Sequence, residues 1–353
     1  MKAIVKTKET RGFELCEVEM PEIKRSTDVK LQVLKSSVCG TDYHIYSWDN
    51  WSQKTINVPQ INGHEVLAKI VEVGSEVTGF NVGQIVVCET HIYCGTCYQC
   101  QTGNAHVCEN MSILGVNQDG IWCEYQVVPQ NILVDVSGID PKYAGIMEPL
   151  GNAIHTLGYS DVRGKNVLIS GAGPIGVLAA YVAKISGAST VMISDFNNYR
   201  LDMVRDMDFG AHLIDLNTDD IFAKTKEITN GSGIDIAIEM SGNGNALNTS
   251  IELINPAGEI NVLSVYPQDK IEVAMNELVF KNIKMQMVTG RKLFDTWYAA
   301  SRWLRNGVLE ADKLDHVITH EFKMEQFEEM FKIMETGKCG KMILDFTYLH
   351  EGE

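Results

Sequence analysis

The sequence predicts an α/β protein in which a doubly wound parallel sheet is inserted into a β-rich domain, and three observations carry that prediction. A strand, glycine loop, helix and second strand follow one another in KNVLISGAGPIGVLAAYVAKISGASTVMISD, residues 165–195. Strand-like and helical stretches then alternate to about residue 290. Short β-like runs occupy both flanks: VKLQVL, EVLAKIVEVG and GQIVVCE before the unit, HVITHEF and GKMILDF after it. The expected division is 1–148 with 291–353 for the β-rich domain and 149–290 for the inserted one.

The totals agree with two soluble domains. A chain of 353 residues can bury two cores, and 45% hydrophobic with 22% charged residues is ordinary for a globular protein. No apolar run approaches a membrane span. The start, MKAIVKTKETRG, has no hydrophobic secretory core, so a cytoplasmic location is expected. A net charge of −16 with no basic block argues against nucleic acid as a partner. Nine cysteines are too few for a disulfide framework at this length.

Four of those cysteines crowd into the β-rich part, in HIYCGTCYQCQTGNAHVC. Cys94, Cys97, Cys100 and Cys108 have the spacing of a closed, four-thiolate structural zinc site. Gly95 and Gly103 permit the tight turns such a loop needs. The rival is an iron–sulfur cluster, whose ferredoxin pattern continues x₃-C-P; here Cys108 follows a longer gap and precedes Glu109. A closed site braces a loop, so catalysis is to be sought elsewhere.

The inserted unit carries G-x-G-x-x-G at Gly171, Gly173 and Gly176, with Ile175 inside the loop. The fingerprint is weak alone, but here a strand precedes it, a helix follows, and an acid ends the next strand. That context predicts a Rossmann-type dinucleotide site, with the pyrophosphate on the helix N-terminus. Asp195 is placed to accept from both ribose hydroxyls and would repel a 2′-phosphate, favouring NAD over NADP. Its plainer reading is a strand-end acid. Arg200 either flanks the adenine or is a solvated helix residue. Further strands are expected in IDIAIEMSG (234–242), EINVLSV (259–265) and IKMQMVTG (283–290). Their carboxyl ends make Ser241, Leu263, Ser264, Val265, Val288 and Thr289 candidate cofactor contacts. A helix is expected from Phe294 to Arg305.

Two further places in the β-rich part collect metal-capable residues: VCGTDYHIYSWDNW (38–51) and INGHEVLAKIVEVG (61–74). With C-G-T-D-x-H, G-H-E, the four-cysteine lobe and G-x-G-P-x-G in that order, the whole chain resembles the zinc-dependent medium-chain alcohol dehydrogenase family. The resemblance implies a GroES-like catalytic domain, with a catalytic zinc held by Cys39, His64 and Glu65. It gives Glu148, in MEPLG, as an alternate ligand or a residue behind the ligands. It implies hydride transfer from an alcohol to NAD, with Thr41 and His44 relaying the released proton. It implies two zinc ions per subunit, a homotetramer, and a small amino-acid or polyol alcohol as substrate. HIYSWDNWSQKTINVPQINGHE and TGRKLFDTWY, the most specific stretches, favour the amino-acid alcohol. Leu67 to Lys69, LSVYP (263–267) and Lys292 depart from the usual pattern, and Ser264 and Tyr266 fall near the expected nicotinamide end. A zinc-stabilised scaffold without activity is the rival of another class. It is disfavoured by the survival of trio, relay pair and glycine loop in one chain.

Overall fold

The computed structural model describes residues 1–268 and 270–350. The chain forms two compact units, one of Met1–Glu148 with the segment from Ile318 onward, the other of Pro149–Val317.

The first unit is built on a sheet whose central strand, Asp28–Ser37, pairs antiparallel with Glu65–Val73, Tyr125–Pro129 and Lys341–Asp345. Val29, Leu31 and Val33 alternate inward along that strand and are fully buried. Each contributes about 1.5–3 kcal/mol through apolar area removed from water. They join a core that includes Trp122, Phe13 and Phe331. The register matters for the site. Ser37 sits opposite both Glu65 and Ile343, so three strands bring Ser37, Glu65 and Lys341 to one end of the sheet.

The second unit holds six parallel strands in the order 212–215, 190–195, 166–170, 234–239, 254–262, 284–287. The chain starts in the middle and winds outward both ways, which places the switch point between Asn166–Ser170 and Ile234–Glu239. The helix Pro174–Ile185 is apolar nearly all round and buries every residue from Gly176 to Ala183.

One expectation needs correcting. The β-rich domain resumes at Ile318, not at 291. Residues 291–317 pack within the nucleotide unit: the Arg291 stem lies against Gly151, its guanidinium sits 5.7 Å from the Trp297 ring, and the Tyr181 hydroxyl accepts from Glu310 N–H at 3.0 Å. The helix Asp295–Arg305 falls where expected, but helices carry no signal of which domain they cover.

Candidate functional site

Cys39, His64 and Glu65 converge although they come from separate segments. Their ligand atoms all lie within 4.8 Å of one another, as a metal-binding trio requires. Cys39 leaves the central strand and caps the helix Gly40–Ser47, its backbone N–H donating to Asp42 Oδ2 at 2.9 Å. Glu65 opens the neighbouring strand and His64 stands just before it, after Gly63, whose φ of 86° belongs to the left-handed region. A Cβ at Gly63 would run into the Trp122 indole, so the glycine of G-H-E is a packing requirement.

The donors are held from behind. His64 Nδ1 lies 3.4 Å from Asp42 Oδ1, and both atoms are buried with no other partner. A carboxylate there fixes the ring so that the opposite nitrogen faces a metal. Burial works against charging His64, but Asp42 and then Cys39 outweigh it and hold its proton well above the ordinary imidazole range. Glu65 is fully buried, accepts from the Ser37 hydroxyl, and takes the Lys341 ammonium at 2.6 Å. Burial would raise its carboxyl, yet Lys341 and His64 bring it below the usual range. Thiolate, imidazole and carboxylate around one point, with orphaned Nδ1 and Oδ1 atoms beside them, fit zinc.

Thr41 Oγ1 lies 3.7 Å from Cys39 Sγ. His44, on the same helix, is largely exposed and pairs through Nδ1 with Asp49. Glu148, in the first turn of the helix Met147–Leu157, is buried but outside the tight trio. Against the effect of burial, its negative charge is among those that raise the Lys341 ammonium, after Glu65 and Cys39.

The four cysteines form the second cluster. Sulfur–sulfur separations of 3.5, 3.8 and 3.5 Å link Cys97 to Cys100, Cys97 to Cys108, and Cys108 to Cys94. A tetrahedron with Zn–S bonds of about 2.3 Å has edges of about 3.8 Å, so the spacing suits zinc and is far too wide for a disulfide. Backbone N–H groups of Cys94, Cys97 and Asn110 point at the sulfurs. Those from Thr96 and Cys97 lower the Cys94 thiol to about 5, and burial is the first cause that raises Cys100 to about 12.

In the nucleotide unit, Gly171 has φ of 103°, and a Cβ on Gly176 would collide with the Gly171 carbonyl oxygen. Above Gly173 the space is open, as a pyrophosphate cradle needs. Ile175 lies in the first turn of the helix. Asp195 ends its strand and accepts from Ala172 and Asn197 N–H at 2.7 and 2.8 Å. A carboxylate has about four lone-pair directions, so two remain for ribose hydroxyls. Arg200 Nε is shielded and has no hydrogen-bond partner. Leu263, Ser264 and Val265 follow the strand Ile254–Val262, and Val288 and Thr289 follow Lys284–Met287. Ser241 donates through both N–H and Oγ to Glu239.

The departures have structural partners. The Ser264 hydroxyl accepts from Gly242 N–H and donates to Glu239 O, each at 3.2 Å, while the Tyr266 hydroxyl donates to Glu239 Oε2 at 2.7 Å. Leu67 and Ala68 are core residues, and Lys292 pairs with Asp295. Sequence reasoning missed Ser37, Asp42, Asp49, Glu239 and Lys341. Only Asp42 carried a local signal, as the D of C-G-T-D.

Comparison with known proteins agrees with this geometry. A model of the alcohol dehydrogenase GroES-like domain matches residues 25–138, and one of the zinc-binding dehydrogenase domain matches 174–306. An L-threonine 3-dehydrogenase of Pyrococcus horikoshii is 44% identical over 97% of this chain and 98% of its own. One of Aliivibrio fischeri is 40% identical over 98% and 99%. Among solved structures, an Escherichia coli alcohol dehydrogenase complexed with NADH superposes with TM-score 0.88 at 26% identity, covering 98% of this chain and 99% of that one.

Proposed function

Because the chain belongs to the zinc-dependent medium-chain alcohol dehydrogenase family, we propose that it oxidises the 3-hydroxyl of L-threonine to 2-amino-3-oxobutanoate, with NAD taking the hydride. The observation that carries the reading is end-to-end similarity, at 40–44% identity, to proteins named L-threonine 3-dehydrogenase. The buried Cys39, His64 and Glu65 trio supports it from the chemical side.

Cys39, His64 and Glu65 would hold the catalytic zinc, and Glu148 stands behind them as an alternate ligand. Zinc supplies Lewis acidity that lowers the pKa of an alcohol, and NAD supplies the hydride acceptor. Asp42 keeps the His64 ring oriented. Lys341 and Ser37 share the Glu65 charge, so that carboxylate is not a full anion toward its metal. The Thr41 hydroxyl can accept and donate at once, and it takes the proton the substrate sheds. His44 hands that proton to water, a role an imidazole suits because one ring nitrogen can accept a proton while the other keeps its own.

Cys94, Cys97, Cys100 and Cys108 would hold a second, structural zinc. In the other unit, Gly171, Gly173, Ile175 and Gly176 cradle the pyrophosphate and Asp195 selects NAD by its charge. Arg200, Leu263, Ser264, Val265, Val288 and Thr289 complete the cofactor contacts. A homotetramer in a reducing cytoplasm completes the reading; the nine unbridged cysteines suit that compartment, and no described helix is long and apolar enough to cross a membrane. The test is kcat/KM with NAD on L-threonine, sorbitol and 2,3-butanediol side by side. L-threonine should lead by orders of magnitude, and negligible turnover of it overturns the assignment.

A further inference from the structure

The helix Gly40–Ser47 ends at Trp48 in a left-handed conformation, φ 58° and ψ 50°, with Trp48 N–H donating to His44 O. That step turns the chain so that Asp49 comes back beside the His44 ring. Asp49 also caps the next helix, Asn50–Thr55, and divides its carboxylate between two tasks. Oδ1 accepts from Ser52 N–H at 2.9 Å and from Ser52 Oγ at 3.0 Å. Oδ2 faces His44 Nδ1 at 2.6 Å.

Two physical consequences follow. A carboxylate only accepts, so Nδ1 must carry hydrogen whether the imidazole is neutral or charged. Proton exchange is thereby confined to Nε2. The His44 side chain is 55% exposed, and Nε2 has no partner among the described residues. Trp51 stands edge-on to the imidazole, ring centres 6.3 Å apart, and limits its swing. Isolated surface pairs are weak because two long side chains must be ordered. Here Ser52 has already ordered the aspartate, and the left-handed step has set its distance. Burial alone would raise the Asp49 carboxyl, but Ser52 and His44 hold it below its ordinary value, so it is ionised where the enzyme works.

We infer that Asp49 is a positioning residue of the proton relay, locking His44 through Nδ1 so that Nε2 alone passes protons to solvent. The inference rests on the relay reading for Thr41 and His44 and extends it by one residue.

The experiment compares Asp49→Ser, Asp49→Asn, His44→Ala and the double variant His44→Ala/Asp49→Ser. Serine keeps an N-cap acceptor for Ser52 but cannot reach the imidazole. Asparagine keeps cap and acceptor but removes the charge. Readouts are kcat and KM for L-threonine, the rate of proton release in a single turnover followed with an indicator dye, zinc content and melting temperature. Asp49→Ser should lower kcat and proton release about 10–100-fold, less than the ~100–10,000-fold of a positioned acid–base group because the imidazole itself stays in place, with KM and zinc content little changed. Asp49→Asn should fall between it and wild type, and it supplies the readout if the serine variant folds poorly. The double variant should be no slower than His44→Ala, because Asp49 acts only through that ring. Wild-type proton release in both Asp49 variants, with His44→Ala impaired, overturns the inference and leaves the relay standing. Losses that multiply in the double variant also overturn it, since Asp49 would then act elsewhere. An unimpaired His44→Ala overturns the relay reading itself.

Discussion

Replacing Lys341 with methionine isolates the buried charge beside the catalytic trio. Lys341 Nζ lies 2.6 Å from Glu65 and 2.9 Å from Val38 O, and both charged side chains are almost wholly excluded from solvent. Methionine keeps an unbranched stem to fill the space, so the cation is lost with little packing. In the zinc-free chain Glu65 then keeps Ser37 as its donor but no cation at hydrogen-bond distance. Removing one member of a buried pair costs about 3–5 kcal/mol. At about 2–4 °C per kcal/mol, zinc-stripped Lys341→Met should melt roughly 6–20 °C below zinc-stripped wild type. Loaded with zinc, the variant regains a positive neighbour for Glu65, and the deficit should shrink to less than half. Linkage then requires the variant to bind zinc at the trio more tightly than wild type, tenfold for every ~1.4 kcal/mol by which the two deficits differ. Melting curves of stripped and loaded protein, with a competitive zinc titration, measure both quantities. Equal deficits in the two forms, or weaker zinc binding, would refute the idea that Lys341 and the metal share one carboxylate.

Three more perturbations have definite outcomes. Asp195→Ala should narrow the preference for NAD over NADP by about tenfold or more, the worth of a charged hydrogen bond of ~1.5–3 kcal/mol; an unchanged ratio of kcat/KM values means the acid is misplaced. Gly63→Ala should destabilise by about 2–5 kcal/mol, summing ~1–2 for the left-handed backbone and ~1–3 for overpacking against Trp122, which at about 2–4 °C per kcal/mol lowers the melting temperature by roughly 4–20 °C, and a melting temperature within 2 °C of wild type contradicts the packing account. Acidification in the presence of a chelator should strip the trio before the four cysteines. Although burial opposes it, Asp42 and Cys39 keep a proton on His64 to well above the ordinary range, so protons compete with the metal as pH falls. Activity should be lost with the first zinc equivalent, while the larger fall in melting temperature accompanies the second; metal analysis showing joint loss removes the distinction.

Much of the site was legible because its signals are local. The glycine loop, the strand Thr190–Asp195 ending in its acid, and the cysteine window each occupy a short stretch whose spacing expresses one geometric demand. The strands Asn166–Ser170 and Thr190–Asp195 lie where apolar runs and glycines placed them. Lys341 was not legible: it meets Glu65 across 276 positions, and a lysine opening a β-like run is ordinarily a solvated flank. Only the register of three strands reveals the pairing. Asp49 was hidden differently, since a residue between two tryptophans reads as a turn until the left-handed Trp48 shows where the turn leads. The limit of the second domain was misplaced because residues 291–317 are joined to the nucleotide unit by the buried Arg291 side chain, which no periodicity announces.

In the proposed reading, charge explains why the conspicuous cysteine cluster would be the inert one. Four thiolates more than neutralise a divalent ion and leave it no open position, so such a site has affinity without acidity. One thiolate, one neutral imidazole and one carboxylate only balance the ion, and Lys341 draws part of the carboxylate's charge back. The less the ligands donate, the more the ion must draw from whatever binds fourth, which is what lowering the pKa of an alcohol demands. Asp42 and Ser37 keep this lightly neutralised site in order without adding a ligand. Cysteine density in a sequence therefore reports how tightly a metal is held. The groups that decide its reactivity are the scattered ones, Asp42, Ser37 and Lys341, which the sheet register gathers behind the trio.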